Sequence, residues 1–483
     1  MANLSMPRSP RLLHMCAALV VAGVLGGCSL APTYERPQAP VESSYPADAA
    51  GRAELQAVNL GWRQFFPDQR LQQLIAAALE NNRDLRTAVL NIEEARAQYQ
   101  IARADLLPNL NLSGNAARTR TAASQSLTGQ PTISNSYQVG LAVPAYELDF
   151  FGRVRNLKDA ALASYLSTEE AQKSAQISLV AQVAQAYLAE RSYAEQLKLA
   201  DETLKSRQSN LELAQKRLDV GASTALDFRL TQTLVESARV AKTQLERQRA
   251  QAENALTLLV GKKIGELPPA QLLSDEKIVT DIPAGLPSDL LTNRPDIRSA
   301  EQSLLAANAN IGAARAAFFP RISLTGSFGS ASSTLGGLFE SGSGAWSFGP
   351  SLSLPIFDFG RNSANLDLTE VRKNKAIVSY EKAIQTAFRE VADALVARGS
   401  LDEQVKAQEA FVAAQQERLK LTDLRFKNGI ASSLDQLDAQ RDLFSAQQAL
   451  IQARQLRLNN AIDLYKALGG GLNENTVSVA AKQ

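Results

Sequence analysis

The run Leu434-Asp435-Gln436-Leu437-Asp438-Ala439-Gln440-Arg441 places two carboxylates three residues apart. At that spacing Asp435 and Asp438 share one helix face, so they present paired negative charge. The chemistry open to such residues is bounded by what the chain lacks. Its only histidine is His14, its cysteines are Cys16 and Cys28, and its methionines are Met1, Met6 and Met15. Beyond residue 28 there is no imidazole, thiol or thioether. That excludes histidine acid/base catalysis, cysteine nucleophiles, disulfides, haem ligation and histidine or cysteine zinc sites. No glycine-rich phosphate loop is present, and no cofactor is implied. Carboxylate chemistry survives, with Asp84, Glu93 and Asp296 as candidates for a hydrolase. Asp84 and Asp296 each stand at a helix start, which suggests capping instead.

The chain has 483 residues, 45% hydrophobic and 21% charged, so it is not a disordered polyelectrolyte. Lys and Arg number 51 against 49 Asp and Glu, a net charge of +2 that offers nucleic acid no basic excess. Residues 1–27 read as a secretory signal, with Arg8 and Arg11 before an apolar stretch, Leu12 to Leu25, too short to span a bilayer. The segment closes Leu25-Gly26-Gly27-Cys28-Ser29, which resembles a bacterial lipoprotein box. Lipid on Cys28 is therefore expected, and Ser29 in place of Asp favours the outer membrane. Residues 28–61, with Pro32, Pro37, Pro40 and Pro46, read as an extended tether, and packing is expected to begin near Trp62.

The rest is a tandem duplication. A shift of 212 aligns residues 84–114 with 296–326 without a gap, eleven of 31 positions being identical. A shift of 208 matches Gly152-Arg153 with Gly360-Arg361, Gly221 with Gly429, and Leu226-Asp227 with Leu434-Asp435. The expected organisation is repeat 1 over 62–263, a linker over 264–287, repeat 2 over 288–472 and a polar tail over 473–483. Each repeat opens with a helix, the first expected over 71–107, that stops before Pro108 or Pro320. Two segments of alternating apolar and small polar residues follow, the periodicity of strands. They are expected at about 109–120 and 136–146, and at about 321–330 and 345–356. Residues 121–135 and 331–344 read as loops, and Pro144 and Pro355 as strand ends. Between Gly152 and Gly221, and between Gly360 and Gly429, lie runs of 68 residues without proline. A helix of that length is about 100 Å long. After Gly221 and Gly429 shorter helices return, so these glycines mark helical tips.

Four strands cannot close a membrane barrel, whose smallest common form has about eight. An open sheet with one apolar face leaves its edges unpaired. A trimer resolves both, giving twelve strands with apolar residues toward lipid and small polar residues toward a wet lumen. Phe318, Phe319, Tyr146, Phe150, Phe151, Phe357 and Phe359 cluster near the strand ends, as an interfacial girdle would.

The segments LGGCS at 25–29, ELDFFGRVR at 147–155, GLPSDLLTNRPDIRSAE at 285–301, ANIGAARAAFFPRISLTGSFG at 309–329, YEKAIQTAFREVADAL at 380–395 and LYKALGGG at 464–471 resemble the outer-membrane factors of the TolC family, in the lipoprotein branch that resembles OprM. The resemblance samples nearly the whole mature chain. It implies an α+β membrane protein without catalytic activity. Four transmembrane strands and long helical hairpins per chain would form a homotrimer with a 12-stranded barrel and a 12-helix periplasmic tunnel. It implies a periplasmic adaptor and an inner-membrane pump of the resistance-nodulation-division type as partners, and drugs or other small toxic compounds as cargo. It also implies a periplasmic gate at Leu434, Asp435, Asp438, Arg441 and Asp227. Two departures are plain: the TolC pattern has tyrosine where this chain has Phe426, and arginine where it has Ala431. The rival reading is a lipid-anchored coiled-coil scaffold or adhesin, which leaves the duplicated strand pairs unexplained.

Overall fold

The computed structural model describes residues 29–45, 57–126, 129–280, 282–285 and 287–476. The expected signal segment, Cys28 and the end of the polar tail lie outside these residues. Nine α-helices and four strands follow in order among the described residues: α1 Trp62–Phe65, α2 Gln69–Asn81, α3 Arg83–Ala104, β1 Asn111–Thr121, β2 Thr132–Glu147, α4 Arg153–Asp219, α5 Ala225–Val260, α6 Leu290–Asn293, α7 Pro295–Ala316, β3 Arg321–Ser332, β4 Gly344–Ser353, α8 Arg361–Lys427 and α9 Ser433–Ala467. The described residues form two compact units, one within the bounds 1–38, 92–168 and 300–380, the other within 39–91, 169–299 and 381–483.

The first unit holds the sheet. All four strands are antiparallel in the order β1-β2-β3-β4, so β1 and β4 are edges. The register carries the sequence alternation across the whole sheet. Leu112, Leu141, Phe328 and Trp346 form one continuous row, and all four are exposed. The adjoining row on the opposite face is Asn111, Ala142, Ser327 and Ser347, with the last two hydroxyls 2.7 Å apart. One face is thus apolar and the other small and polar, because strand side chains alternate. Gly140 and Gly329 pair between β2 and β3. A Cβ on Gly329 would lie 2.2 Å from the Val139 carbonyl oxygen, so only glycine fits there. Pro144 does not end β2 as expected. The strand continues across a bulge between Val143 and Tyr146, where a missing N–H costs no ladder bond.

The N-terminal segment packs earlier than Trp62, against expectation. Its extended backbone is held by side chains of the first unit: Ser29 Oγ donates to Asn156 at 2.9 Å, Asn308 donates to the Pro32 carbonyl at 2.7 Å, and Arg36 grips Glu301 at 2.7 and 3.0 Å. Proline-rich backbone leaves its carbonyls free, and they serve here as acceptors. In the same unit Phe151 stacks on Phe319 at 4.7 Å, and Phe357 meets Phe359 edge-on at 4.6 Å.

The second unit is built around Trp62, Phe65, Phe66, Leu71, Leu74, Ile75, Tyr187, Leu188 and Tyr465, all buried. Phe65 stacks on Tyr465 at 3.9 Å. The single helix expected over 71–107 is broken at Asn82, which is extended at φ −63°, ψ 133°. Asn82 Oδ1 accepts from Leu85 N at 2.9 Å and is the N-cap of α3; Asp84, expected to cap, sits within the first turn. In repeat 2 the matching break is at Arg294, and Asp296 is held by its guanidinium at 2.6 and 3.0 Å.

Candidate functional site

The two helical tips, α4–α5 and α8–α9, both lie in the second unit and share one local design. Helix α4 ends in a Schellman motif: Ala222 N donates to Arg217 O at 2.8 Å and Gly221 N to Leu218 O at 3.0 Å, with Gly221 at φ +70°. Helix α8 repeats it with Ile430 N to Arg425 O at 2.8 Å, Gly429 N to Phe426 O at 3.0 Å, and Gly429 at φ +74°. A left-handed residue at these turns is affordable only to glycine at no strain.

Each tip then starts its returning helix with a capping box. Thr224 Oγ1 accepts from Asp227 N at 3.1 Å while the Asp227 carboxylate accepts from Thr224 N at 3.3 Å. Ser432 Oγ accepts from Asp435 N at 3.2 Å while Asp435 accepts from Ser432 N at 3.0 Å. The two boxes are 208 residues apart and occupy matching positions of the duplication. Asp435 is therefore turned onto its own helix start. The Ser432 hydroxyl and backbone bonds hold its carboxyl below the usual range.

Asp227 also reaches the other tip. Its second oxygen accepts from Ser433 Oγ at 2.5 Å, tying the start of α5 to the start of α9. This bond, with that from Thr224, holds the Asp227 carboxyl low. Gln436 donates to Asp423 at 2.7 Å and so ties α9 back to α8. Asp438 pairs with Arg441 at 3.0 Å, Arg441 with Asp442 at 3.2 Å, and Asp442 with Arg418 of α8 at 2.8 Å. Arg418 first, then Arg441, keeps the Asp442 carboxyl below its ordinary value. Leu434 is half exposed, as are Val220, Leu226 and Ile430 or more so. Phe426 lies under the Arg217 guanidinium, 5.4 Å from its ring centre.

The structure thus places Asp227 in the first turn of α5, and Leu434, Asp435, Asp438 and Arg441 within the first three turns of α9. Asp435 and Asp438 do not act as one pair: the first caps and the second joins an ion-pair chain. Ser433, Asp442 and Arg418 were missed by sequence reasoning. The capping boxes were legible as Thr-x-x-Asp and Ser-x-x-Asp. The Ser433 contact bridges 206 residues and carries no local signal. The arrangement keeps carboxylates ionised and hydrogen-bonded at turns, which suits attraction of cations and fixing of helix starts.

A family model described as outer membrane efflux protein matches residues 74–262 and 286–470. The chain is 49% identical over 461 residues to a probable efflux pump outer membrane protein, TtgC, of Pseudomonas putida, covering 95% of each chain. It is 49% identical over 459 residues to outer membrane protein OprJ of Pseudomonas aeruginosa, covering 95% of this chain and 96% of that one. Among solved structures it is similar to the open state of the MtrE outer membrane channel of Neisseria gonorrhoeae. There the TM-score is 0.86 and the identity 45%, over 93% of this chain and 100% of that one.

Proposed function

The chain belongs to the outer membrane efflux protein family, and from that premise we propose that it is the exit duct of a tripartite pump of the resistance-nodulation-division type, passing drugs or other small toxic compounds outward. As a member of the family it is an outer-membrane efflux channel and not an enzyme. Its four-stranded sheet is one third of a trimeric 12-stranded barrel, and its long helices contribute to a helical tunnel. The single observation that carries the reading is the sheet itself. Its apolar row Leu112-Leu141-Phe328-Trp346 is exposed, and its two edges have no strand partner among the described residues. In water that face and those edges would drive aggregation; in a closed barrel the face meets lipid and the edges pair between chains.

The finer parts of the proposal rest on the tips. Leu434, Asp435, Asp438, Arg441 and Asp227 form the periplasmic aperture, each repeated three times around it. The exposed apolar side chains Val220, Leu226, Ile430 and Leu434 give a periplasmic adaptor a surface on which to seat. With Phe426 and Ala431 in place of the TolC tyrosine and arginine, closure relies on Leu434 packing, the Asp438–Arg441 contact and the Asp227–Ser433 bond. Cys28 carries the lipid that adds a second anchor beside the barrel.

The test is planar-bilayer conductance of the purified mature trimer, with Leu434→Ala/Arg441→Ala beside it. Small cation-selective channels that widen in the double variant are expected. A well-folded trimer without conductance would leave the scaffold reading in its place. For the anchor, Cys28→Ser is expected to lose palmitate labelling while keeping the trimer.

A further inference from the structure

Between the two tips of the second unit lies a cavity of about 580 Å³, lined among others by Arg207, Arg217, Asp227, Asp423, Phe426 and Phe444. Its volume falls in the range of small-molecule pockets, roughly 300–1,000 Å³. Arg207 stands out among its charged residues. It is only 4% exposed and lies about three turns before the end of α4 at Asp219, beyond the last turn whose dipole would welcome a cation. Nη1 is fixed by the Leu234 carbonyl at 2.9 Å and Ser237 Oγ at 3.1 Å. Nε and Nη2 are buried and have no hydrogen-bond partner among the described residues.

The bare edge has a known use in this chain. Arg36 directs Nε and Nη2 onto Glu301 at 2.7 and 3.0 Å, Arg153 onto Glu147 at 2.8 and 2.8 Å, and Arg294 onto Asp296 at 3.0 and 2.6 Å. In each case the edge takes both oxygens of one carboxylate, the geometry for which a guanidinium is preorganised. At Arg207 the same fork is present and the carboxylate is missing. The acids of the cavity wall are committed elsewhere: Asp227 to Ser433 and Thr224, Asp423 to Gln436. Glu202 is exposed. Partial compensation comes from the Phe444 ring, whose centre is 5.4 Å from the guanidinium carbon. Burial, with no carboxylate to offset it, lowers the Arg207 pKa. An unpaired buried cation is costly, and a ligand carboxylate removes that cost.

We propose that this cavity binds a small aromatic monocarboxylate, whose two oxygens sit on Nε and Nη2 of Arg207 and whose ring lies against Phe444. The site occurs once per protomer, because the matching position of repeat 2, 208 residues on, is Gln415. Both donor atoms are closed to solvent in this conformation. Entry therefore displaces part of the wall between the hairpins, and a bound carboxylate favours the conformation in which that wall has parted. The inference does not rest on the efflux reading; its readout is binding rather than conductance.

The experiment is isothermal titration calorimetry of the detergent-solubilised trimer with sodium benzoate, and with benzamide as the uncharged isostere. Saturable benzoate binding at one per protomer is expected, with benzamide weaker by about tenfold or more. Arg207→Gln is expected to lose at least about tenfold, and Arg207→Lys to fall between, since an ammonium has no flat fork. Heat-resistant trimer migration checks the fold of each variant. Should Arg207→Gln fail to assemble, Phe444→Leu, which leaves the guanidinium in place, is expected to weaken benzoate severalfold. Equal binding of benzoate and benzamide, binding unchanged in the assembled variants, or no saturable binding at all overturns the proposal.

Discussion

Asn82 and Arg294 occupy matching positions of the two repeats and do the same job with different chemistry. Asn82 Nδ2 donates to the Leu259 carbonyl at 2.8 Å, and Arg294 Nη1 donates to the Ala467 carbonyl at 3.0 Å. Both carbonyls belong to the last turn of a returning helix, where the intrahelical partner is lost. Just beyond, Gly261 at φ +76° and Gly469 at φ +83° lie close to the Asn81 and Asn293 carbonyls. Asn82→Ala is expected to cost about 1–2 kcal/mol, for one cap and one carbonyl bond. Arg294→Ala also strands Asp296 and Glu390, paired to it at 2.6 and 2.7 Å. Breaking a buried pair costs about 3–5 kcal/mol, and the partners here are a third exposed, so about 3 kcal/mol is expected. Thermal unfolding of the trimer checks the order of the two.

At the tips, Ser433→Ala removes the one hydrogen bond from α9 to Asp227 and leaves both capping boxes intact. Under the aperture proposal it is expected to raise the open-state conductance in bilayers while leaving cation selectivity as it was. Asp438→Asn is expected to raise conductance too, by weakening the 3.0 Å contact with Arg441, and in addition to lower cation selectivity, because it removes a carboxylate from the aperture. If selectivity fell in both variants or in neither, the two residues would not have separate roles.

The sheet gives a sharper test. Gly329→Ala places a methyl group 2.2 Å from Val139 O and 2.5 Å from the Gly140 Cα, both of them backbone of the neighbouring strand. Gly114→Ala meets nothing nearer than 4.0 Å. The first is expected to abolish heat-resistant trimers and the second to leave them, as read by migration of unboiled samples. Equal loss in both would show that strand glycines are needed for something other than close approach.

One buried carboxyl is expected to make stability fall as pH rises. Burial first, then the neighbouring Asp68 charge and a hydrogen bond with it, pushes the Glu276 carboxyl up to about 8. Asp68 meanwhile caps α2 at Arg70 N, 2.8 Å, and accepts from the Tyr187 hydroxyl. A folded pKa above the unfolded value favours the protonated form. The contribution is therefore fully present below about pH 4.5 and is lost as pH rises through about 8. Melting temperature is expected to drop between about pH 4.5 and 8 in the native chain and to be flatter in Glu276→Gln. The opposite sign applies at the tips. The lowered Asp227, Asp435 and Asp442 groups support the folded state above the ordinary carboxylate range and lose that support as pH falls through their depressed values.

What was legible in the sequence was whatever repeats at short period. The alternation of Leu141, Val143 and their neighbours gave the sheet and its two faces, and the proline-free runs gave α4 and α8. The break at Asn82 was hidden because the helical periodicity passes through it without proline or glycine, and the turn is stabilised by a distant carbonyl. The packed N-terminal segment was hidden for a similar reason: Asn156, Glu301 and Asn308, which hold it, are far away in sequence. At the tips, spacing revealed the acids and their caps, while the partners Ser433 and Arg418 needed the fold. Arg207 looked like any cation on a long helix.

The unpaired edges of β1 and β4 have a genetic consequence. A barrel that borrows every closing contact from two other chains makes each subunit hostage to its neighbours. Where intact and strand-defective copies are expressed equally and mix freely, about one assembly in eight contains only intact subunits. A broken strand is thus expected to behave as a dominant-negative allele, and a mere absence of the chain as a recessive one.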